Sequence, residues 1–214
     1  MCNECWNDPA LTRILDGSVC TKCGVPMPGS IGSTEERVPE KPCGMCSSLP
    51  FGALRACGIY SGGLEASILF LKDHPHICPR LCRIICRIFS SHRGALISDI
   101  IIPIPLHRAR QKQRGFNQAS IIARVIAREF GIRLEERALA RVKPTERHRA
   151  GMDAADRAES VGRAFEVTRR RTVEGSSVLL VDDVHTTGST VSAASRCLLK
   201  AGSTRVVVLT IARV

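Results

Sequence analysis

Thirteen consecutive residues constrain this chain most: Val178-Leu-Leu-Val-Asp182-Asp183-Val-His-Thr186-Thr187-Gly188-Ser189-Thr190. The four apolar residues predict a short buried strand over 178–181. Ser189 to Ala201 reads as a helix closed by Gly202, and Arg205 to Ile211 as a β-branched strand. Strand, helix and strand with short links imply parallel neighbours. Open parallel sheets bind ligands outside the carboxyl ends of their strands. Two adjacent carboxylates at that edge repel and want a diol, a cation or both. Small hydroxyl side chains around Gly188, entering a helix, make a nest for a phosphate, and Gly188 permits close approach. A monophosphate near a vicinal diol describes a ribose 5-phosphate. The bland alternative is a strand–turn–helix with an Asp cap, but the combination of acids, hydroxyls and apolar strand is specific.

Elsewhere the pattern is that of an α/β protein. Residues 64–72 and 77–90 read as helices. Asp99 to Pro105 reads as a short buried strand running into a loop, because Pro103 and Pro105 end regular pairing. Asn117 is a plausible N-cap for a helix to Phe130, closed by Gly131. Residues 47–56 look like a connector, and 132–165 are polar and give no clear element.

Six of the 11 cysteines fall in the first 46 residues as Cys2/Cys5, Cys20/Cys23 and Cys43/Cys46. Each Cys-x-x-Cys turn aims two thiolates at one centre, and two turns complete a tetrahedral Zn²⁺ site. The 19 residues between Cys23 and Cys43 fit the usual spacing, and the 14 between Cys5 and Cys20 are slightly short. Six thiols leave one pair over. The chain shows no secretory leader, so a reducing cytoplasmic compartment is expected, which favours zinc over disulfides. Four Cys ligands leave no open position, so the metal's role is structural. Cys78, Cys82 and Cys86 form a helical stripe, best read, with Cys57 and Cys197, as small buried hydrophobes. The 214 residues then divide into a zinc module (1–50) and one α/β domain (51–214).

The formal charge of +11 is concentrated. Residues 101–172 hold 17 basic and 8 acidic side chains, and the flanking parts are nearly neutral. Such a block suits a polyanionic partner, whether nucleic acid, phosphorylated metabolite or acidic membrane surface, or is merely a solvated face. Aromatic content of 4 % offers few stacking platforms for single strands. No apolar run approaches the roughly 20 residues of a membrane span.

The 178–190 run resembles the phosphoribosyl pyrophosphate (PRPP) motif of type I phosphoribosyltransferases, and the whole chain resembles the ComF competence-protein (GntX-like) family. The Cys-x-x-Cys pairs match its zinc module. Tyr60, Gly63 and Leu64 through Lys72 look like its Tyr…Gly-Leu…Leu-Lys segment. Pro103-Ile-Pro-Leu-His107-Arg108 and Arg114-Gly-Phe-Asn-Gln-Ala119 are similar to its central motif, and Ala150-Gly-Met-Asp…Arg157…Ala164-Phe165 to its later one. Arg149 and Ser160 stand where the family usually has Gln and Asn.

The resemblance implies a type I phosphoribosyltransferase-like parallel sheet flanked by helices. It implies that Asp182 and Asp183 bind ribose hydroxyls, directly or through Mg²⁺, and that Thr186, Thr187, Gly188, Ser189 and Thr190 cradle the 5-phosphate. Arg108, Arg114 and Lys72 would reach pyrophosphate, and His107 or His185 would handle a proton, a loop or capping side chain being the plainer reading of His185. The implied chemistry is pentosyl transfer: pyrophosphate is displaced at ribose C1 by a nitrogen nucleophile through an oxocarbenium-like transition state. Three functions stay open: a working phosphoribosyltransferase with an unknown acceptor, a silent PRPP or nucleotide binder, and a factor handling single-stranded DNA with the DNA-uptake machinery.

Overall fold

A computed structural model describes Trp6, Asp8 and residues 12–27, 42–143 and 164–214. The elements run β1 (Ala53–Ile59), α1 (Gly62–Asp73), α2 (Pro79–Ser91), α3 (Arg93–Leu96), β2 (Ile100–Pro103), α4 (Arg108–Arg114), α5 (Gln118–Phe130), β3 (Arg133–Leu134), β4 (Leu139–Arg141), β5 (Phe165–Val167), α6 (Arg170–Val173), β6 (Ser177–His185), α7 (Ser189–Lys200) and β7 (Arg205–Arg213). Five of the strands form one sheet in the order β1-β7-β6-β2-β3, with every pairing parallel. The other two make an antiparallel ribbon, β4–β5.

Both faces of the sheet are covered, so its strands bury side chains in both directions. Leu179 and Val181 of β6, with Val207, Leu209 and Ile211 of β7, face one core. There they meet Leu64 and Ile68 of α1, Ile85 and Ile88 of α2, and Ile122 and Ile126 of α5. The intervening residues Val178, Leu180, Val206 and Val208 face a second core, with Val191 and Leu198 of α7 and Leu139 and Phe165 of the ribbon. The expected parallel sheet flanked by helices is therefore the observed one.

The strand order fixes where a ligand can enter. From β2 the chain moves outward to β3, and from β6 it moves outward the other way to β7. The order reverses between β2 and β6, and their carboxyl ends border the crevice such a reversal opens. The loop after Pro103 and the turn after His185 both leave from there.

Several elements differ from the sequence reading. The strand expected over 178–181 continues to His185, because β7 keeps pairing with it: Asp182 with Thr210, Val184 with Ala212 and His185 with Arg213. On the other side β2 accompanies it only to the Pro103–Val181 pair, followed by an Ile104 N–H bond to the Val181 carbonyl of 2.8 Å. The acid pair therefore lies within the strand, at the point where one of its two neighbours departs.

Part of the expected connector, 47–56, is the start of edge strand β1. It carries a buried Arg55 and no β-branched residue before Ile59, which hides it from a propensity reading. Arg55 is held by the carbonyls of Leu54 (2.8 Å) and Thr21 (3.0 Å). The N-terminal segment covers this edge: Leu54 N–H donates to Lys22 O (2.7 Å), Leu15 N–H to Cys57 O and Ile59 N–H to Arg13 O. Pairing of this kind protects an edge strand from foreign partners.

Of the five cysteines read as core, only Cys57 is fully buried. Cys78, Cys82, Cys86 and Cys197 are half-buried. On α2 the inner face belongs to Leu81, Ile84, Ile85, Ile88 and Phe89, so the cysteine stripe lies beside it.

Candidate functional site

The acid pair is held by its own backbone and by one amide. Asp183 N–H donates to Asp182 Oδ1 (2.9 Å), and Val184 N–H to Asp183 Oδ1 (2.8 Å). The other oxygen, Asp183 Oδ2, accepts from Gln118 Nε2 at 3.1 Å. Burial, and then the charge of Asp183, push the Asp182 carboxyl well above the usual carboxylate range. Arg141 pulls it the other way. Two carboxylates this close resist joint ionisation, which is the electrostatic state a cation or a diol relieves.

Basic groups approach from two elements. Arg114, in the last turn of α4, is half-buried and donates from Nη1 to Gln118 Oε1 at 2.7 Å. Burial and the nearby Arg110 lower its pKa, while Asp183 and Asp73 oppose this. Arg141, at the end of β4, lies over the Phe165 ring at 5.3 Å, and its charge interacts favourably with that of Asp182. Tyr60 adds a phenol whose pKa is raised by burial, Glu65 and Asp183.

The turn after β6 leads directly into α7. Gly188 takes the left-handed conformation, φ 74°, at the start of α7. A Cβ there would come within 2.7 Å of His185 Cε1, so the position has no room for a side chain. Thr187 Oγ1 donates to Ser189 Oγ (3.2 Å) and accepts from Ser189 N–H (3.4 Å). Thr186, Thr187 and Ser189 are exposed and Thr190 is half-buried. No acidic residue occupies the first turn of α7, so nothing there repels an anion.

His185 is neither a loop nor a capping side chain. It is a buried strand residue under Gly188, and burial together with Arg213 brings its pKa down to about 4. His107 does cap a helix: its Nδ1 accepts from Ala109 N–H of α4 at 3.4 Å. His107, Arg108, Arg137 and Arg141 line a cleft of about 900 Å³ beside the ribbon, and the acid pair is not part of its lining. Lys72 lies half-buried in the last turn of α1, next to the Asp73 whose charge reaches Arg114.

Tyr60, Gln118 and Arg141 are not among the site residues expected from sequence, although Tyr60 stands in the Tyr…Gly-Leu…Leu-Lys segment. Gln118 stands inside a quoted motif, directly after the N-cap Asn117. Arg141 falls in the polar 132–165 stretch, where no spacing singles it out. The motif around Ala150 and Arg157, with Arg149 and Ser160, lies outside the described residues.

The second site is a knot of sulfur. The Sγ atoms of Cys20, Cys23, Cys43 and Cys46 lie within 4.8 Å of one another. Cys20–Cys46 is 3.7 Å, and Cys23–Cys43 and Cys43–Cys46 are each 3.6 Å. A tetrahedral zinc with Zn–S bonds of about 2.3 Å sets its sulfurs about 3.8 Å apart, so the cluster fits that ion. Burial opposes ionisation of Cys20. The N–H groups of Cys23, Cys43 and Lys22 outweigh it and bring the thiol to about 6. Cys2 and Cys5, the other candidate pair, lie outside the described residues.

Residues 113–214 match the phosphoribosyl transferase domain model. The DNA utilization protein YhgH of Salmonella typhimurium is 29 % identical over 203 residues, covering 92 % of this chain and 84 % of the relative. The competence protein ComFC of Bacillus subtilis is 33 % identical over 120 residues, and competence protein F of Haemophilus influenzae is 36 % identical over 118. The chain is thus similar to the ComF family of phosphoribosyltransferase-like proteins. It spans 84 % of YhgH but only about half the length of the two competence proteins, 45 % and 51 %. Among solved structures, the glutamine PRPP amidotransferase of B. subtilis, complexed with ADP and GMP, is 23 % identical with a TM-score of 0.41. The similarity covers 61 % of this chain and 25 % of that one. Among the described residues no helix is long and apolar enough to cross a membrane.

Proposed function

We propose that this protein binds PRPP, or a related phosphorylated ribose, at the β2/β6 crevice and transfers the phosphoribosyl group to a nitrogen nucleophile. The observation that carries the reading is the position of Asp182 and Asp183. They sit at the sheet's reversal point, on a strand whose neighbour has just left, and three residues before a phosphate-type turn. The acid pair would take the ribose hydroxyls. The exposed Thr186 and Thr187, with Gly188, Ser189 and Thr190, would take the 5-phosphate on the N-terminus of α7. Arg114, and the exposed Arg108 two turns earlier on α4, would meet the pyrophosphate, with Lys72 at the neighbouring helix end.

The elevated Asp182 pKa makes the pair a fit for Mg²⁺, which would supply charge neutralisation at the pyrophosphate. The protein's own share is to hold C1 open to the acceptor and to oppose the charge that builds on the departing pyrophosphate. His107 Nδ1 is occupied as a helix cap, which favours a positioning part for it over proton transfer. The four-cysteine cluster would hold a structural zinc, since a closed sulfur set offers no open coordination site.

The test is calorimetric titration of PRPP, with and without Mg²⁺, into wild type and Asp182→Ala/Asp183→Ala. Saturable binding by the wild type that the double variant loses supports the reading, and absence of binding by the wild type sinks it. Pyrophosphate release with a panel of nitrogen acceptors separates turnover from silent binding.

A second reading is favoured by α4 itself. Arg108, Arg110 and Lys112 are exposed on a helix that buries nothing, and the relatives' names refer to DNA utilization and competence. DNA binding that weakens with salt, disappears on charge reversal of these three residues and survives loss of the acid pair would support it.

A further inference from the structure

The contact between Arg114, Gln118 and Asp183 joins the basic segment to the acid pair through a single side chain. Arg114 Nη1 donates to Gln118 Oε1 at 2.7 Å, and Gln118 Nε2 donates to Asp183 Oδ2 at 3.1 Å. Gln118 is buried, with 7 % of its surface exposed. The orientation of its amide is fixed by chemistry. A guanidinium only donates and a carboxylate only accepts, so oxygen must face Arg114 and nitrogen must face Asp183. Both ends of one neutral group are thus engaged by opposite charges.

The backbone explains why Gln118 stands there. Arg114 ends α4, and Gly115, at φ 80°, turns the chain toward α5. Asn117 then fixes the start of α5 in two ways. Its Oδ1 accepts from Ala119 N–H (3.0 Å), and its Nδ2 donates to Ile104 O (2.9 Å), just past the end of β2. Because β2 and β6 are neighbours, the first residue of α5 is set opposite the acid pair. Few side chains meet the demand. Glu would accept from Arg114 but present a like charge to Asp183. Met and Leu would satisfy neither, and Asn is one methylene shorter.

We propose that Gln118 is a positioning residue of this site, whose amide seats Arg114 and Asp183 as one unit. The pyrophosphate-facing cation and the ribose-facing carboxylate are then oriented together and respond together to substitution. This rests on the reading of the crevice as a phosphoribosyl site.

The test uses the full chain and two ligands, Mg²⁺–PRPP and ribose 5-phosphate, in calorimetric titrations of wild type, Gln118→Met, Gln118→Glu, Arg114→Gln and Arg114→Gln/Gln118→Met. Circular dichroism and thermal melts establish that each variant folds. Gln118→Met is expected to weaken PRPP about tenfold or more, the scale of a hydrogen bond to a charged group. Ribose 5-phosphate, which lacks the group Arg114 faces, should weaken less. The double variant should lose no more than its worse single, because removing Gln118 already unseats Arg114. A side chain that only fills space predicts multiplied losses and equal effects on both ligands, and either result overturns the proposal, as does wild-type PRPP affinity in folded Gln118→Met. Should that variant fail to fold, Gln118→Glu, of the same size, is read instead: it keeps the Arg114 contact and opposes Asp183, so both ligands should weaken, and unchanged affinity for both overturns the proposal. A wild type that binds neither ligand removes the phosphoribosyl reading itself, a different failure from a binding wild type with an indifferent Gln118.

Discussion

The cysteine cluster and the acid-pair crevice are both sites for charge, built in opposite ways. Residues 20–46 supply all four sulfurs, which already converge within 4.8 Å. The crevice instead draws on α4, α5, the β4–β5 ribbon and the β6–α7 turn, and its two acids are consecutive in β6, where the charge of Asp183 helps burial to raise the Asp182 pKa. A closed set of like ligands specifies one kind of occupant and does little else. An open edge with mixed groups can bind, release and react, so the chemistry is expected in the crevice and the stability in the cluster. The two are nonetheless joined. Arg213, the last residue of β7, pairs with His185 and donates from Nη1 to Cys23 O at 3.0 Å.

The largest expected effect follows from that division. One zinc per chain should be found by elemental analysis, and Cys20→Ser or Cys46→Ser should abolish it. Structural zinc supplies on the order of 10 kcal/mol of apparent binding energy to small folds, so these variants should melt far below the wild type. Asp182→Asn should do the reverse, keeping zinc and fold while losing PRPP. Zinc-free protein with unchanged melting would break the comparison.

The acid pair and its neighbour should next be separable by pH. His185 has its pKa depressed from 6.5 to about 4 by burial and Arg213. Below about pH 6.5 the unfolded chain binds a proton that the folded chain refuses. Its contribution is therefore full above that value and is lost as the pH falls toward 4. The loss amounts to roughly 3 kcal/mol. Asp182 has a raised folded pKa, so its contribution runs the other way, falling as pH rises above the normal carboxylate range. Wild type alone shows the sum of the two. Denaturation curves from pH 4 to 8, with no Mg²⁺ added, separate them as wild type minus His185→Phe and wild type minus Asp182→Asn. The two differences should slope oppositely, and parallel slopes would refute both assignments.

Gly188→Ala should cost about 2–3 kcal/mol, from a left-handed φ of 74° and a Cβ 2.7 Å from His185 Cε1. It should also weaken ribose 5-phosphate. A cost in stability with intact phosphate binding would show that the turn is only structural.

Legibility followed the range of the interactions. The β6–α7–β7 unit, the Asn117 cap and the Cys20/Cys23 and Cys43/Cys46 pairs are local in sequence, and period, cap and spacing expose them, while spacing alone leaves open which two of the three cysteine pairs share an ion. What stayed hidden depends on partners far along the chain. Edge strand β1 is a strand because β7 pairs with one side and the N-terminal segment bonds to the other. Asp182 and Asp183 lie inside β6 rather than after it because β7 keeps pairing where β2 stops. Gln118 reads as an ordinary helical amide until the fold brings Asp183, 65 positions away, to its nitrogen.

The smallest effect sharpens the comparison at the opposite end of the sheet. Asp99 Oδ2 accepts from Ser177 N–H and Ser177 Oγ, each at 2.7 Å, and Asp99 N–H donates back to Ser177 O at 3.0 Å. This clamp ties the amino ends of β2 and β6, the same two strands whose carboxyl ends frame the crevice. The bonds from Ser177 lower the Asp99 pKa, so the clamp holds above the usual carboxylate range and is lost as pH falls through the folded value. Asp99 is exposed, so water competes, and Asp99→Ala should cost only about 1 kcal/mol. PRPP affinity should not change, because ligands meet parallel sheets at the carboxyl edge. Chemical denaturation and the PRPP titration read the two quantities on the same sample. If Asp99→Ala weakened PRPP as much as Gln118→Met does, the crevice would depend on strand spacing throughout the sheet, and the seating of Arg114 and Asp183 by one amide would lose its special standing.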